Sequence, residues 1–518
     1  MTERIRLSES NRRWWTLGAM CFALFMIMLD NTVTNVALPS IQRDFDASLS
    51  ALEWTINAYT LTFAVLLVTG GRLGDIFGRR RVFLIGVAIF AAASFTIGFA
   101  PSDGFLVASR AVQGVGAALM MPATLSIISH AFPPRERGKA IGIWAGVSAI
   151  ALAIGPLVGG WLTEDVSWRA IFFLNVPVAI VAIAVTLFAA EESRDDTVGR
   201  TVDYPGIATL TVSLTSLVLA LVEGNAWGWG SARILGLFAL AVVALIGFVT
   251  IERRSRAPVV DFAFFRSRQF VAANAVAFLV TFAMFAMFFF LALYMQNILG
   301  YSPLETGVRF LPTTLIVMAA GPIAGRLSDR VGPRWLISGG LVLIAAALAW
   351  QSRISVDTSF GYLFPAFMVM GAGIGLVMSP MSAAVRNSVD RTKAGVASGT
   401  LSMFRMVGGT FGVAALGALV AAVGRSDLER SLPNVGAGAR EQMVDGLGSG
   451  AGLEHASAHV QSAVNNAFVD ALGTGLIVSA SAALIGALVA WALIRNDRPD
   501  APAEQEAAAA GALETAPA

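Results

Sequence analysis

About fourteen apolar runs, most of them near twenty residues long, restrict what this chain can fold into more than any other feature. A helix needs roughly 20 apolar residues to cross the hydrocarbon core of a bilayer. The 518-residue chain is 56% hydrophobic and only 14% charged, whereas soluble globular domains carry about 25% charged residues. Because the runs do not alternate like the strands of a membrane barrel, the sequence predicts an all-α polytopic membrane protein.

The charged residues between these runs predict how the chain is oriented in the membrane. Cytoplasmic segments are enriched in lysine and arginine, and most of the 36 basic residues fall on one side if the N-terminus is placed inside the cell. We therefore expect both termini to be cytoplasmic. The predicted runs are 15–37, 54–74, 82–100, 105–129, 140–161, 169–190, 205–223, 233–251, 270–296, 306–326, 335–351, 361–382, 395–423 and 471–494.

A carboxylate, Asp30, lies inside the first apolar run. A charge near the bilayer interior costs several kcal/mol, so such a residue is a candidate functional site. Counting from Trp15 at 1.5 Å per residue places Asp30 about 22 Å along the run, and Arg110 lies at a similar depth in the fourth run. Opposite charges at one depth can pair. The pair either locks two helices together or binds a transported proton.

One loop motif occurs twice, about 250 residues apart: Gly-Arg-Leu-x-Asp-x-x-Gly-x-Arg. Glycine suits the tight turn and arginine holds the turn in the cytoplasm. Two copies in equivalent places predict two homologous halves with a transport site between them. Six runs precede and six follow the pair at 205–251. The residues of interest are Gly71, Asp75, Gly78, Arg79 and Arg80 in the first copy, and Gly325, Asp329 and Arg330 in the second.

Several further motifs, together with this repeat, resemble the major facilitator superfamily and, within it, the fourteen-span drug:proton antiporter-2 family. The resemblance covers nearly the whole chain. The matching segments begin at Asp30-Asn31-Thr32 in the first run, Trp54-Thr55-Ile56-Asn57-Ala58-Tyr59 in the second, Arg110-x-x-Gln113-Gly114-x-Gly116 in the fourth, Gly155-Pro156-Leu157-Val158-Gly159-Gly160 in the fifth, and Trp168-Arg169 with Asn175-Val176-Pro177 around the sixth.

The resemblance implies a major facilitator fold in a 6+2+6 arrangement and a secondary exporter that takes protons in and moves amphiphilic or cationic drugs or antibiotics out by alternating access. It implies that Asp30 binds the coupling proton and that Arg110 tunes its affinity. The run-five residues Gly155, Pro156, Gly159 and Gly160 resemble the antiporter motif, although Ala151 stands where that motif usually has glycine. A generic helix kink is the alternative for Gly155-Pro156.

The loop motif has two interpretations that the sequence leaves open. Asp75 with Arg79 and Arg80 either forms a cytoplasmic gate between the two halves or only anchors the topology. The second copy, with Gly325, Asp329 and Arg330, would act in the same way.

Polar residues within the runs are candidates for a substrate cavity. In the N-terminal half these are Asn31, Asn57, Tyr59 and Gln113; in the C-terminal half they are Tyr294, Gln296 and Arg405. Run nine is dense in Phe and Met, whose adaptable side chains suit a polyspecific pocket. Arg405 has no acidic residue near it in the C-terminal runs, so it binds either structural carbonyls or an anionic substrate group.

The predicted organisation has five parts. They are a cytoplasmic tail (1–13), an N-terminal six-helix bundle (14–190), a two-helix insertion with flanking cytoplasmic loops (191–269), a C-terminal six-helix bundle with a long extracytoplasmic loop at 424–470 (270–497), and a disordered cytoplasmic tail (498–518).

No enzyme signature is present, and we expect no cofactor, no metal and no nucleic-acid partner. The expected partners are small amphiphilic substrates, protons and the lipid bilayer, for a monomer in a bacterial plasma membrane. Two alternatives stay open at this point: a dedicated exporter of one endogenous product or lipid, and a transport-inactive membrane sensor or scaffold.

Overall fold

The computed structural model describes residues 9–194, 201–255, 258–389, 394–447 and 457–496. Within those ranges every regular element is helical. Thirteen helices of the described chain are long and apolar enough to cross a membrane, and another long helix holds the predicted run 140–161. The prediction of an all-α polytopic protein is therefore confirmed, and each predicted run coincides with helical backbone.

The N-terminal group consists of seven helices, two of which are nearly continuous. They are α1 (Glu9–Phe45), α2 (Leu49–Phe77), α3 (Arg79–Gly98), α4 (Asp103–Ala131), α5 (Pro134–Asp165), α6 (Ala170–Phe173) and α7 (Asn175–Ala189). Helix α4 packs against α2 and α3, while α1 packs against α5 and α7. Helix α1 therefore lies beside α4 and α7, where Asp30 meets polar groups from both.

Two helices follow the N-terminal group, α8 (Tyr204–Trp227) and α9 (Ala232–Glu252), and they pack mainly against each other. Helix α8 also contacts α2 and α14 (Ala394–Ser431). Helix α9 presents most of its apolar surface outward, as a lipid-facing helix does. The pair thus covers one seam between the two groups of helices.

The C-terminal group repeats the packing pattern of the N-terminal group. Besides α14 they are α10 (Arg268–Leu293), α11 (Pro303–Val331), α12 (Pro333–Gln351), α13 (Phe360–Asn387), α15 (Ala437–Asp445) and α16 (Ala458–Leu493). A short 3₁₀ helix, Phe262–Arg266, precedes α10, and a π-helical turn, Tyr294–Ile298, follows it. Helix α13 packs against α11 and α12, as α4 packs against α2 and α3.

Two helix pairs make the largest contacts between the N-terminal and C-terminal groups, α5 with α11 and α2 with α14, and α1 adds smaller contacts with α10 and α11. The Thr60 and Thr410 hydroxyls share a hydrogen bond of 2.6 Å across the second pair. At the end of the molecule predicted to face outside, here called the outer end, the Leu304 backbone N–H donates to Glu164 Oε2 at 3.0 Å. The two groups are thus in contact at the outer end.

The predicted long loop at 424–470 is shorter in the structure. Helix α14 continues to Ser431, α15 follows, and α16 already begins at Ala458. These extensions are rich in polar and small residues, so they carry no apolar run that marks them as helix. The predicted tail 498–518 lies outside the described residues, as do the first eight residues.

Candidate functional site

Asp30 and Arg110 form a buried ion pair between α1 and α4. Arg110 Nη1 donates to Asp30 Oδ2 at 2.5 Å, and each side chain is only 1% exposed. The pairing predicted from their equal depth is therefore present. Each ion offsets the cost of burying the other only when the remaining polar atoms are also bonded.

Neutral side chains from α4 and α7 complete the bonding of Asp30. Gln113 Nε2 donates to Asp30 Oδ1 at 3.0 Å and Asn175 Nδ2 donates to the same oxygen at 3.2 Å. Both amides also reach Ser94 Oγ of α3, at 2.9 and 3.3 Å. The Asp30 carboxylate of α1 therefore bonds side chains of α4 and α7, and Ser94 of α3 bonds the same two amides.

Arg110 is held just as firmly. Its Nε donates to the Thr55 carbonyl at 3.1 Å and its Nη1 to Gln113 Oε1 at 2.6 Å. The Tyr59 ring lies 4.3 Å from the guanidinium carbon, within the range of a cation–π contact. Gln113 and Tyr59, predicted as cavity residues, thus belong to the surroundings of the ion pair.

A cavity of about 320 Å³ lies between the two groups of helices. Its size is at the lower end of the range for small-molecule pockets. Arg110 reaches its wall, so the ion pair lies at the edge of the cavity. The described residues that line it are Leu24, Met28, Asn31, Thr32, Asn35, Val36, Ile56, Thr60, Phe63, Arg110, Met121, Trp144, Ser148, Pro156, Thr281, Met284, Phe285, Phe288, Phe310, Thr313, Thr314, Val317, Ile374, Met378, Ser402, Arg405 and Met406.

The other predicted cavity residues divide between this wall and the protein interior. Asn31 and Arg405 line the cavity. Asn57, Tyr294 and Gln296 are not among the described lining residues. Tyr294 donates its hydroxyl to the Ser355 carbonyl at 2.6 Å, and Gln296 donates to the Val36 carbonyl at 2.8 Å. Tyr294 therefore joins the π-helical turn to the segment between α12 and α13, and Gln296 joins it to α1.

The run-five motif packs α5 between two other helices. A Cβ at Gly155 would overlap Thr32 Oγ1, and a Cβ at Gly159 would come 2.8 Å from Val33 Cα. On its other side, a Cβ at Gly160 would lie 2.7 Å from Leu304 Cα of α11. Small residues allow this close approach of helices. The motif thus forms the contact of α5 with both α1 and α11.

Both copies of the loop motif form the same turn. Gly78 separates α2 from α3 at φ +110°, and Gly332 separates α11 from α12 at φ +84°. Glycine alone adopts such angles without strain. The helix that follows each turn begins beside a polar side chain from the last residues of the same group of helices. Glu192 Oε1 accepts a hydrogen bond from the Arg80 backbone N–H at 3.0 Å, and Asn496 Oδ1 accepts one from the Arg334 backbone N–H at 3.2 Å. The prediction of two matching turns is confirmed at this level of detail.

Within the first copy, Asp75 Oδ1 of α2 accepts from Arg79 Nη2 of α3 at 2.8 Å, across the turn at Gly78. Gly71 packs against Pro122 and Gly325 against Ser379, so each lets a neighbouring helix approach. Arg330 is exposed. The side chain of Asp329 lies outside the described residues.

Sequence reasoning missed a second buried carboxylate, Glu53. It is 2% exposed, its Oε2 has no hydrogen-bond partner, and its Oε1 abuts the backbone of Gly417 in α14. Nearby, Ser50 and Trp54 both donate to Glu223 Oε1 of α8, at 3.0 and 3.2 Å. Glu53 precedes the predicted run 54–74 by one residue, so the sequence places it at the water interface. The packing of α8 and α14 over it buries it.

Comparison with known proteins then decides the family. The family model described as Major Facilitator Superfamily matches residues 20–413, well over half of the chain. The chain belongs to the major facilitator superfamily. As a member with many membrane-spanning helices, it is a multi-pass protein of the cell membrane.

Its relatives within the superfamily include antibiotic resistance proteins. The tetracenomycin C resistance and export protein of Streptomyces glaucescens is 36% identical over 507 residues, which cover 96% of this chain and 94% of the relative. The puromycin resistance protein pur8 of Streptomyces alboniger is 41% identical over 412 residues, covering 78% and 81%.

A solved structure shares the fold. The crystal structure of a bacterial homologue of the human lysosomal transporter Spinster, in an inward-facing and unoccupied conformation, matches with a TM-score of 0.69. The match covers 94% of this chain and 97% of that one at 18% sequence identity, so it shows the fold alone.

Proposed function

We propose that this protein exports amphiphilic drugs or antibiotics from the cell in exchange for protons that enter. The observation that carries this proposal is the buried Asp30–Arg110 pair at the edge of a cavity between two groups of helices. Ionisable residues within membrane-spanning helices are rare and mark substrate or ion pathways and proton relays. The relatives named for antibiotic resistance and export support the direction of transport.

Protonation of Asp30 would change the contacts that hold three helices. As a carboxylate, Asp30 accepts hydrogen bonds from Arg110, Gln113 and Asn175. A proton on it removes the charge that Arg110 pairs with, so α1, α4 and α7 lose part of their attraction. A proton gradient can then bias the equilibrium between two arrangements of the helices.

The contacts between the N-terminal and C-terminal groups of helices are of kinds that can break and re-form when the helices change their arrangement. At the outer end they consist of close backbone approaches at Gly160 and Gly307, and single hydrogen bonds such as Gln296 to the Val36 carbonyl. In the first loop motif, Asp75 bonds Arg79 of its own loop. In the alternate arrangement we expect the Asp75 carboxylate to bind the C-terminal group of helices and so to close the end of the molecule that is predicted to face the cytoplasm.

Two other functions make different predictions. A dedicated exporter of one endogenous product or lipid would show no competition between unrelated compounds. A transport-inactive sensor or scaffold would not need Asp30.

Dye accumulation in intact cells, with and without a protonophore, distinguishes the exporter from the sensor or scaffold, and competition for efflux by unrelated compounds distinguishes it from the dedicated exporter. We expect cells that express the protein to exclude a lipophilic dye until the protonophore is added, and cells that express Asp30→Asn to accumulate it throughout. The matched control is Asp44→Asn, since Asp44 lies farther along α1 and pairs with Arg169 at the outer end. Energy-dependent exclusion that survives in Asp30→Asn at normal surface expression refutes proton coupling through this residue.

A further inference from the structure

The charge inside the cavity is unbalanced. Of the described residues that line it, two are charged, Arg110 and Arg405, and none is acidic. Arg110 is neutralised by Asp30 at 2.5 Å. Arg405 has no ion-pair partner among the described residues, so the wall carries one uncompensated positive charge.

The contacts of Arg405 do not replace a counter-ion. Its Nη2 approaches the Met378 sulfur at 3.2 Å, and its Nε has no hydrogen-bond partner. A thioether sulfur is only a weak acceptor. The carbonyls that the sequence suggested as partners are not among its described contacts. A guanidinium in apolar surroundings without an anion is costly, and a ligand with a negative charge would remove that cost.

The other residues that line the cavity indicate that the remainder of such a ligand is apolar and aromatic. Phe285, Phe288 and Phe310 offer aromatic faces, and Met284 and Met406 offer adaptable apolar contacts. A volume of about 320 Å³ accommodates a molecule of a few fused rings.

We infer that this cavity selects acidic amphiphiles, meaning lipophilic aromatic molecules that carry a carboxylate or a phenolate, and that Arg405 binds the acidic group. The inference rests on the proposed export function and narrows its substrate class. It opposes the preference for cationic drugs expected from the family resemblance, because Arg405 repels a lipophilic cation.

Equilibrium binding to the purified full-length protein in detergent tests the inference without any need for transport. The probes are two xanthene dyes of similar size at pH 8, anionic fluorescein and cationic rhodamine 123. We expect the wild type to bind fluorescein more tightly than rhodamine 123. Arg405→Gln should weaken fluorescein binding by about ten- to a hundredfold, the range for loss of a charge-assisted hydrogen bond, and should not weaken rhodamine 123 binding. Arg405→Lys should keep part of the preference.

Two further variants provide a control and an alternative test. Arg425→Gln is the matched control, because Arg425 lies on the same helix but pairs with Glu441 outside the cavity; we expect it to bind both dyes as the wild type does. If Arg405→Gln does not fold, Met378→Glu places a carboxylate beside Arg405 and should abolish the preference for fluorescein. Tighter binding of rhodamine 123 by the wild type, or a dye preference unchanged in Arg405→Gln or in Met378→Glu, overturns the inference.

Efflux of both dyes from proteoliposomes under a pH gradient separates this inference from the proposed function. A fluorescein preference in binding without proton-driven efflux of either dye refutes the proposed function and supports the inference. Proton-driven efflux with no dependence on Arg405 refutes the inference alone.

Discussion

Arg110 Nη1 lies 2.5 Å from Asp30 Oδ2, and both side chains are buried between α1 and α4. Neither residue is buried at low cost without the other. The pair therefore serves two purposes that can be separated by mutation: it holds α1 against α4, and it offers a carboxylate for a proton.

Arg110→Met should destabilise the fold strongly, because it leaves the Asp30 charge buried and uncompensated. We expect a loss of about 3–5 kcal/mol, visible as a lower unfolding midpoint and a lower yield of monodisperse protein in detergent. The double variant Asp30→Asn with Arg110→Met should recover much of this stability while transport stays absent. Equal destabilisation of the single and double variants would contradict the pairing argument.

Gly307→Leu should impair the contact of α11 with α5, because a Cβ at Gly307 would overlap the Pro156 carbonyl. We expect overpacking at this contact of α5 with α11 to cost about 1–3 kcal/mol and transport to fall in a vesicle efflux assay. Gly321→Leu on the same helix is the control, since nothing lies within 4 Å of the position of its Cβ. Similar losses in both variants would argue against this contact.

Asp75→Asn tests the gate interpretation of the loop motif. Its ion pair with Arg79 is partly exposed, so its removal should change stability by no more than about 1 kcal/mol. If Asp75 also binds the other group of helices, transport should fall by the equivalent of about 0.5–2 kcal/mol. Asp427→Asn, which removes another local pair with Arg430, provides the comparison. Normal insertion with unchanged transport in Asp75→Asn would leave topology as the only role of this residue.

Glu53→Gln should stabilise the protein. Glu53 is buried near Glu223 and its Oε2 has no hydrogen-bond partner. An uncharged amide of the same shape avoids the cost of a buried negative charge. We expect the unfolding midpoint in detergent at pH 8 to rise by the equivalent of about 1–3 kcal/mol. The control is Glu441→Gln, whose carboxylate pairs with Arg425 and whose loss should not stabilise. A lower midpoint for Glu53→Gln would indicate that the carboxylate has a partner in another arrangement.

The sequence predicted the parts of this structure that follow from local chemistry. Apolar runs located the helices, because a bilayer admits little else. Glycine at the loop motif predicted the turns at Gly78 and Gly332, because their φ angles exclude other residues. Equal depth along two helices predicted the pairing of Asp30 with Arg110.

The remaining features depend on packing that a single sequence does not reveal. Asn175 completes the bonding of Asp30 only because α7 lies against α1. Glu53 is buried only because α8 and α14 cover the end of α2. Tyr294 and Gln296 lie in a π-helical turn that redirects them toward backbone carbonyls, and no periodicity in the sequence signals that turn.

The most direct test of the account is proton movement coupled to substrate in proteoliposomes that contain the purified protein and an internal pH-sensitive dye. A substrate gradient is imposed across wild-type vesicles with no initial pH difference. We predict that protons move opposite to the substrate, so the internal pH falls when substrate leaves the vesicles and rises when substrate enters them. Vesicles with Asp30→Asn, reconstituted to the same protein density, should show none. Proton movement driven by substrate in Asp30→Asn at the wild-type rate would contradict the claim that Asp30 carries the coupling proton.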